Sequence, residues 1–90
     1  MRESKIETYL RVRIHRLGGE CIKMGQDGWN DRLVILPRLV LPSALYFVEL
    51  KATNGRVKPH QERRHETLRK HGLTVLVPKS KEDIDRMFPL

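Results

Sequence analysis

Two rhythms of apolar residues organise this chain. Ile6, Leu10, Ile14 and Leu17 recur at spacings of four, four and three, which draws one apolar stripe down a helix from residue 3 to 17. Gly18-Gly19 ends that helix, as glycine does at a helix C-terminus. The segment Glu20-Cys21-Ile22-Lys23-Met24 is short and partly alternating, and predicts a strand. The stretch from Gly25 to Asn30 is rich in glycine, amide and acid residues and predicts a loop. Leu33-Val34-Ile35-Leu36, stopped by Pro37, and Leu45-Tyr46-Phe47-Val48, following Pro42-Ser43, are continuous aliphatic or aromatic runs that predict central strands.

The rhythm then changes. Thr53-Asn54-Gly55 predicts a turn, and Pro59 opens a polar helix that runs to His71 without a further Pro or Gly and is closed by Gly72. Leu73 to Val77 is a β-branched strand. Ser80 begins a last helix whose first turn carries Glu82 and Asp83, and Pro89 ends it. The order α-β-β-β-α-β-α, without repeats or an interdomain linker, predicts one α/β domain over residues 1–90, a small mixed β-sheet flanked by helices.

Composition narrows the partners. The chain has 90 residues, too few to bury more than a modest core, so a partner subunit is plausible. Its 18 Lys and Arg against 11 Asp and Glu give a formal charge of +7, which favours a polyanion. No apolar run reaches membrane-spanning length and the N-terminus is charged, so a soluble protein in the cytoplasm is expected. The single cysteine, Cys21, cannot form an internal disulfide and reads as a small buried residue.

The chemistry is concentrated at the end of the third strand. Side chains alternate along Leu45–Lys51, so Leu45, Phe47, Glu49 and Lys51 share one face and Tyr46, Val48 and Leu50 the other. One face thus turns from apolar to charged, and a carboxylate and an ammonium at the end of a buried strand need partners. Taken alone, such a Glu-x-Lys tripeptide is usually a solvated strand end. Asp31 changes the weight, because it stands directly before the neighbouring strand, and two acids on adjacent strands can share a hard divalent cation.

The order Asp31, then Glu49-Leu50-Lys51, resembles the PD-(D/E)xK nuclease superfamily. More closely, the chain resembles the stand-alone, phage-type VRR-NUC (virus-type replication-repair nuclease) proteins. The likeness is carried by Glu3-Ser4-Lys5-Ile6-Glu7, Gly18-Gly19, Gly28-Trp29-Asn30-Asp31-Arg32-Leu33-Val34, Phe47-Val48-Glu49-Leu50-Lys51-Ala52, and Gln61 with Leu68 and Gly72. It implies a restriction-endonuclease-like core and a Mg2+- or Mn2+-dependent endonuclease acting on DNA. Asp31, Glu49 and the Leu50 main-chain carbonyl would be metal ligands, Lys51 the catalytic lysine and Gln61 a helper. For the first-helix acid, Glu3 and Glu7 share a helix face. The spacing from Glu7 to Gly18 resembles that of archaeal-type junction resolvases and favours Glu7, reaching the metal through water. The family's usual proline before the aspartate is replaced by Asn30. Stand-alone members act as homodimers on four-way junctions, so cleavage of Holliday junctions or other branched DNA by a homodimer is the expectation. A non-catalytic nucleic-acid-binding module on the same fold is the alternative.

The remaining signals are weaker. No His pair has the spacing of a zinc-protease helix. His60, His65, Arg63, Arg64, Arg69 and Lys70 face either phosphates or solvent, and Arg11, Arg13 and Arg16 supply a similar surface. Trp29 either stacks on a base or packs under the sheet. Leu39, Val40 and Leu41, between Pro37 and Pro42, suggest either a subunit contact or a loop folded over its own core.

Overall fold

A computed structural model describes residues 2–25, 31–37 and 45–90. Asn30 and Trp29, and Leu39, Val40 and Leu41, therefore lie outside the described residues. The elements follow the predicted order: α1 (Glu3–Arg16), β1 (Glu20–Lys23), β2 (Arg32–Ile35), β3 (Leu45–Val48), α2 (Pro59–Lys70), β4 (Thr74–Leu76) and α3 (Lys81–Met87). The strands form one sheet in the order β1-β2-β3-β4. β1 with β2 and β2 with β3 are antiparallel, whereas β3 with β4 is parallel. A parallel neighbour requires a crossover, and α2 provides it.

α1 buries its predicted stripe. Ile6, Leu10 and Ile14 are fully buried, while Leu17 is only partly so, packing at the rim of the core. They meet Val34 and Leu36 from β2, Tyr46, Val48 and Leu50 from β3 and its extension, and Ile84 and Phe88 from the C-terminal segment. Tyr46 and Phe88 pack edge to face with ring centres 5.3 Å apart, a geometry that sets the positive ring edge against the negative face. Removing one of these fully buried aliphatic side chains costs on the order of 2–5 kcal/mol, since the void is refilled only in part. Cys21 is only partly buried, at the margin of the same core.

Two helix ends explain how the chain reverses. At α1, Gly18 has φ 80°; its N–H donates to His15 O and that of Gly19 to Ile14 O, both at 3.0 Å. At α2, Gly72 has φ 81°, with Gly72 N–H donating to Arg69 O (2.9 Å) and Leu73 N–H to Leu68 O (3.0 Å). Both are Schellman endings, which satisfy the last carbonyls and need a left-handed residue. Gly19 serves a different purpose: a Cβ there would lie 2.3 Å from Ile35 O and 2.7 Å from Leu36 Cδ2. Only the bare backbone lets the start of β1 approach β2 this closely.

The C-terminal helix closes the layer. Ser80 Oγ accepts from Asp83 N–H at 3.1 Å, and Asp83 Oδ2 accepts from Lys79 N–H at 2.9 Å, so the first turn is capped from both directions. α3 is tied to α1 by Asp85, which pairs with Arg13 and accepts from the Tyr9 hydroxyl at 2.6 Å. Among the described residues, no helix is long and apolar enough to cross a membrane.

Candidate active site

The predicted alternation along β3 and its extension holds. Tyr46, Val48 and Leu50 point into the α1 core, and Phe47 and Glu49 lie on the opposite face. β3 keeps its β4 partner beyond its last residue: Glu49 N–H donates to Leu76 O at 2.9 Å and Lys51 N–H to Pro78 O at 3.4 Å. The backbone of the Glu49-Leu50-Lys51 segment is thereby fixed as a strand would be. On the other side, Leu50 N–H donates to Asp31 Oδ2 at 2.7 Å. Asp31 itself is held by its carbonyl, which accepts from Met24 N–H at 3.2 Å. The carboxylates of Asp31 and Glu49 are therefore brought together by the ends of two adjacent strands.

This arrangement places a charge where charge is costly. Glu49 is 4% exposed. Burial pushes its carboxyl up to about 8, helped by a hydrogen bond to the Asp31 carboxylate, by the Asp31 charge and, more weakly, by the Glu3 charge; the Lys51 ammonium opposes the shift. Two carboxylates that cannot both ionise comfortably share a proton or a cation.

α1 contributes two acids with different surroundings. Glu7 Oε1 accepts from Arg32 Nη2 at 2.9 Å in a partly buried ion pair. Arg32 follows Asp31 directly, is 7% exposed and also donates from Nη1 to Cys21 O at 3.4 Å. Glu3 is exposed, and its charge is the weakest of the causes that act on the Glu49 carboxyl. Gln61 lies at the third position of α2, where its Oε1 accepts from Lys58 N–H at 3.0 Å. Lysine has no acceptor to return that bond, so only half of a capping box is formed.

His65 departs from the reading of α2 as an outward polar helix. It is 2% exposed, and its Nε2 lies 3.5 Å from Glu49 Oε1. That contact is too long and poorly directed to be a hydrogen bond, so Nε2 is a buried nitrogen without a partner. Burial, with the charges of Arg69, Lys51 and Arg64, holds His65 below its ordinary value. The spacing Gln61, His65, Leu68 is the inward stripe of α2, a signal present in the sequence but hidden by the polarity of these residues. The outer face instead carries His60, Arg63, Arg64 and Thr67, which line a shallow pocket with Leu68.

The donor set suits a hard cation. Two carboxylates, one of them desolvated and strained by the other's charge, present oxygen ligands only, which fits Mg2+ or Mn2+ better than a softer metal. Among the described residues no group of three or more His, Cys, Asp and Glu side chains is arranged to hold a metal. Mg2+ typically takes one or two carboxylates and completes its shell with water and phosphate oxygens.

A four-stranded mixed sheet between helices, with paired acids and a lysine at the strand ends, defines a compact α/β nuclease-fold domain of the PD-(D/E)xK type. A solved structure described as a "VRR_NUC domain" superposes with a TM-score of 0.81 at 39% identity, covering 94% of this chain and 91% of the other. The chain belongs to the VRR-NUC family. No protein-family model matches the sequence, and no curated protein does.

Proposed function

We propose that this chain is a Mg2+- or Mn2+-dependent, structure-selective DNA endonuclease that cleaves Holliday junctions or other branched DNA as a homodimer. The observation that carries the reading is the buried Glu49 carboxyl facing Asp31 beside Lys51. A divalent ion bound there supplies neutralisation of the scissile phosphate and a more acidic water. Asp31 and Glu49, with the Leu50 main-chain carbonyl, would hold it. Lys51 stabilises the charge that develops on the phosphate. Glu7 is engaged with Arg32 and Glu3 is the α1 acid felt at Glu49, which favours Glu3 over Glu7 as the first-helix acid. Glu7 then orients Arg32 behind Asp31. Gln61 serves the site by closing the first turn of the helix that carries His65.

The charged surfaces suit a branched polyanion read by shape. A groove of about 740 Å³ along α1 and β1 is lined by Arg11, His15, Arg16 and Arg32. It does not contain the carboxylates, but Arg32 joins it to Asp31. The α2 face of His60, Arg63 and Arg64 offers a second track. For the dimer, Ile22 is paired with Leu33 and Ile35 with Leu45, and Ile22, Ile35 and Leu45 are 42%, 38% and 37% exposed. This apolar row on the sheet favours a second copy as its cover.

Purified protein is incubated with labelled four-way junction, flap and linear duplex DNA in Mg2+, Mn2+ or EDTA, beside Asp31→Ala and Lys51→Ala. Metal-dependent cutting with the junction preferred is expected, reduced at least ~10²-fold in both variants. Binding without cutting would identify a non-catalytic module instead.

A further inference from the structure

Among the described residues, His65 Nε2 is a buried side-chain nitrogen with no hydrogen-bond partner. An imidazole enclosed to this degree on a short α/β domain is normally satisfied, since an unpaired buried polar group costs about 1–3 kcal/mol. What faces it is Glu49 Oε1, itself buried, at 3.5 Å. The distance is a few tenths of an ångström beyond an ordinary N–H···O bond, and such contacts are often long in ligand-free sites. Two buried groups thus face each other 3.5 Å apart, and one of them is the proposed metal ligand.

We infer that His65 is a positioning residue for Glu49, its neutral imidazole carrying the proton on Nε2 and donating it as a hydrogen bond to Oε1. The inference rests on the metal-nuclease reading above. Held in this way, Glu49 presents its other oxygen toward Asp31, and the carboxylate loses little rotational freedom on binding a cation. α2 thereby acts on the site through the carboxylate, without touching substrate. Outer partners of this kind typically change metal affinity by about 10–100-fold when removed.

The test uses the full chain with Mn2+ alone, by calorimetric titration, on the unsubstituted protein, His65→Leu and His65→Gln. Leucine fills the space without a donor; the glutamine side-chain amide reaches about as far as Nε2 and keeps one. Mn2+ binding weakened about 10–100-fold in His65→Leu and largely recovered in His65→Gln is expected. Equal Mn2+ affinity in all three overturns the proposal, as does an equal loss in both variants that follows a drop in melting temperature. A second readout needs neither metal nor substitution: the ¹⁵N shifts of the imidazole report which nitrogen holds the proton. An Nδ1–H tautomer overturns the proposal even if His65→Leu fails to fold. Should the unsubstituted chain bind no Mn2+, the metal reading fails on its own, and the tautomer still decides whether His65 donates to Glu49.

Discussion

Glu49→Gln tests directly whether this site stores charge at the expense of stability. In the folded protein the Glu49 carboxyl is lifted from its ordinary 4.5 to about 8, while in the unfolded chain it returns to the ordinary value. Below pH 4.5 the group is protonated in both states and contributes nothing. Between the two values the unfolded chain releases a proton that the folded one keeps, so stability falls by about 1.4 kcal/mol for each pH unit. Above about 8 the penalty is constant, at roughly 5 kcal/mol as an upper bound for a carboxyl coupled so closely to Asp31. Glutamine has the same shape, carries no charge and can still bond to Asp31. Urea unfolding in EDTA at intervals from pH 5 to 9 should therefore show a variant that is nearly as stable as the parent at the acid end and more stable than it at the alkaline end. The gap should open through the interval between the two values, and Mn2+ should narrow it by stabilising only the parent. A gap that does not change with pH would refute the reasoning, since it would mean that Glu49 is no more desolvated when folded than when unfolded.

Two further substitutions probe the scaffold. Gly19→Ala sets a methyl against Ile35 O and Leu36, and should lower stability by about 1–3 kcal/mol, read from the urea midpoint, because the first β1–β2 pair must move apart. Asp83→Ala should cost ~1 kcal/mol through loss of the carboxylate half of the α3 cap, the bond from Lys79 N–H, while Ser80 keeps its own half. The Lys79 backbone N–H chiefly holds the Asp83 carboxyl below its ordinary value, with Arg86 and Ser80 assisting. The cap's contribution is therefore complete above the ordinary carboxylate range and lost as pH falls through the lowered value. The difference in melting temperature between parent and Asp83→Ala should shrink accordingly in acid.

The sequence by itself determined the elements and their faces. Ile6, Leu10 and Ile14 dictated α1 because only a helix of 3.6 residues per turn brings them to one side. The strand period of two separated Val48 and Leu50 from Glu49 and Lys51, and Gly18 and Gly72 stood where a left-handed residue had to end a helix. Asp31 and Glu49 were legible as partners because they stand at facing ends of neighbouring strands.

The tertiary structure alone decided what each face meets. Periodicity reports which way a side chain points, but not which element comes to cover it, and that depends on contacts between residues distant in the chain. The parallel pairing of β3 with β4, closed by α2, encloses Glu49 and sets His65 against it, although both helix and histidine read as polar surface. The docking of α1 against the sheet sets Glu7 in an ion pair with Arg32, the residue after Asp31. Spacing along the helix favours one of two glutamates a turn apart, but only the folded chain shows that Glu7 meets Arg32 while Glu3 stays exposed.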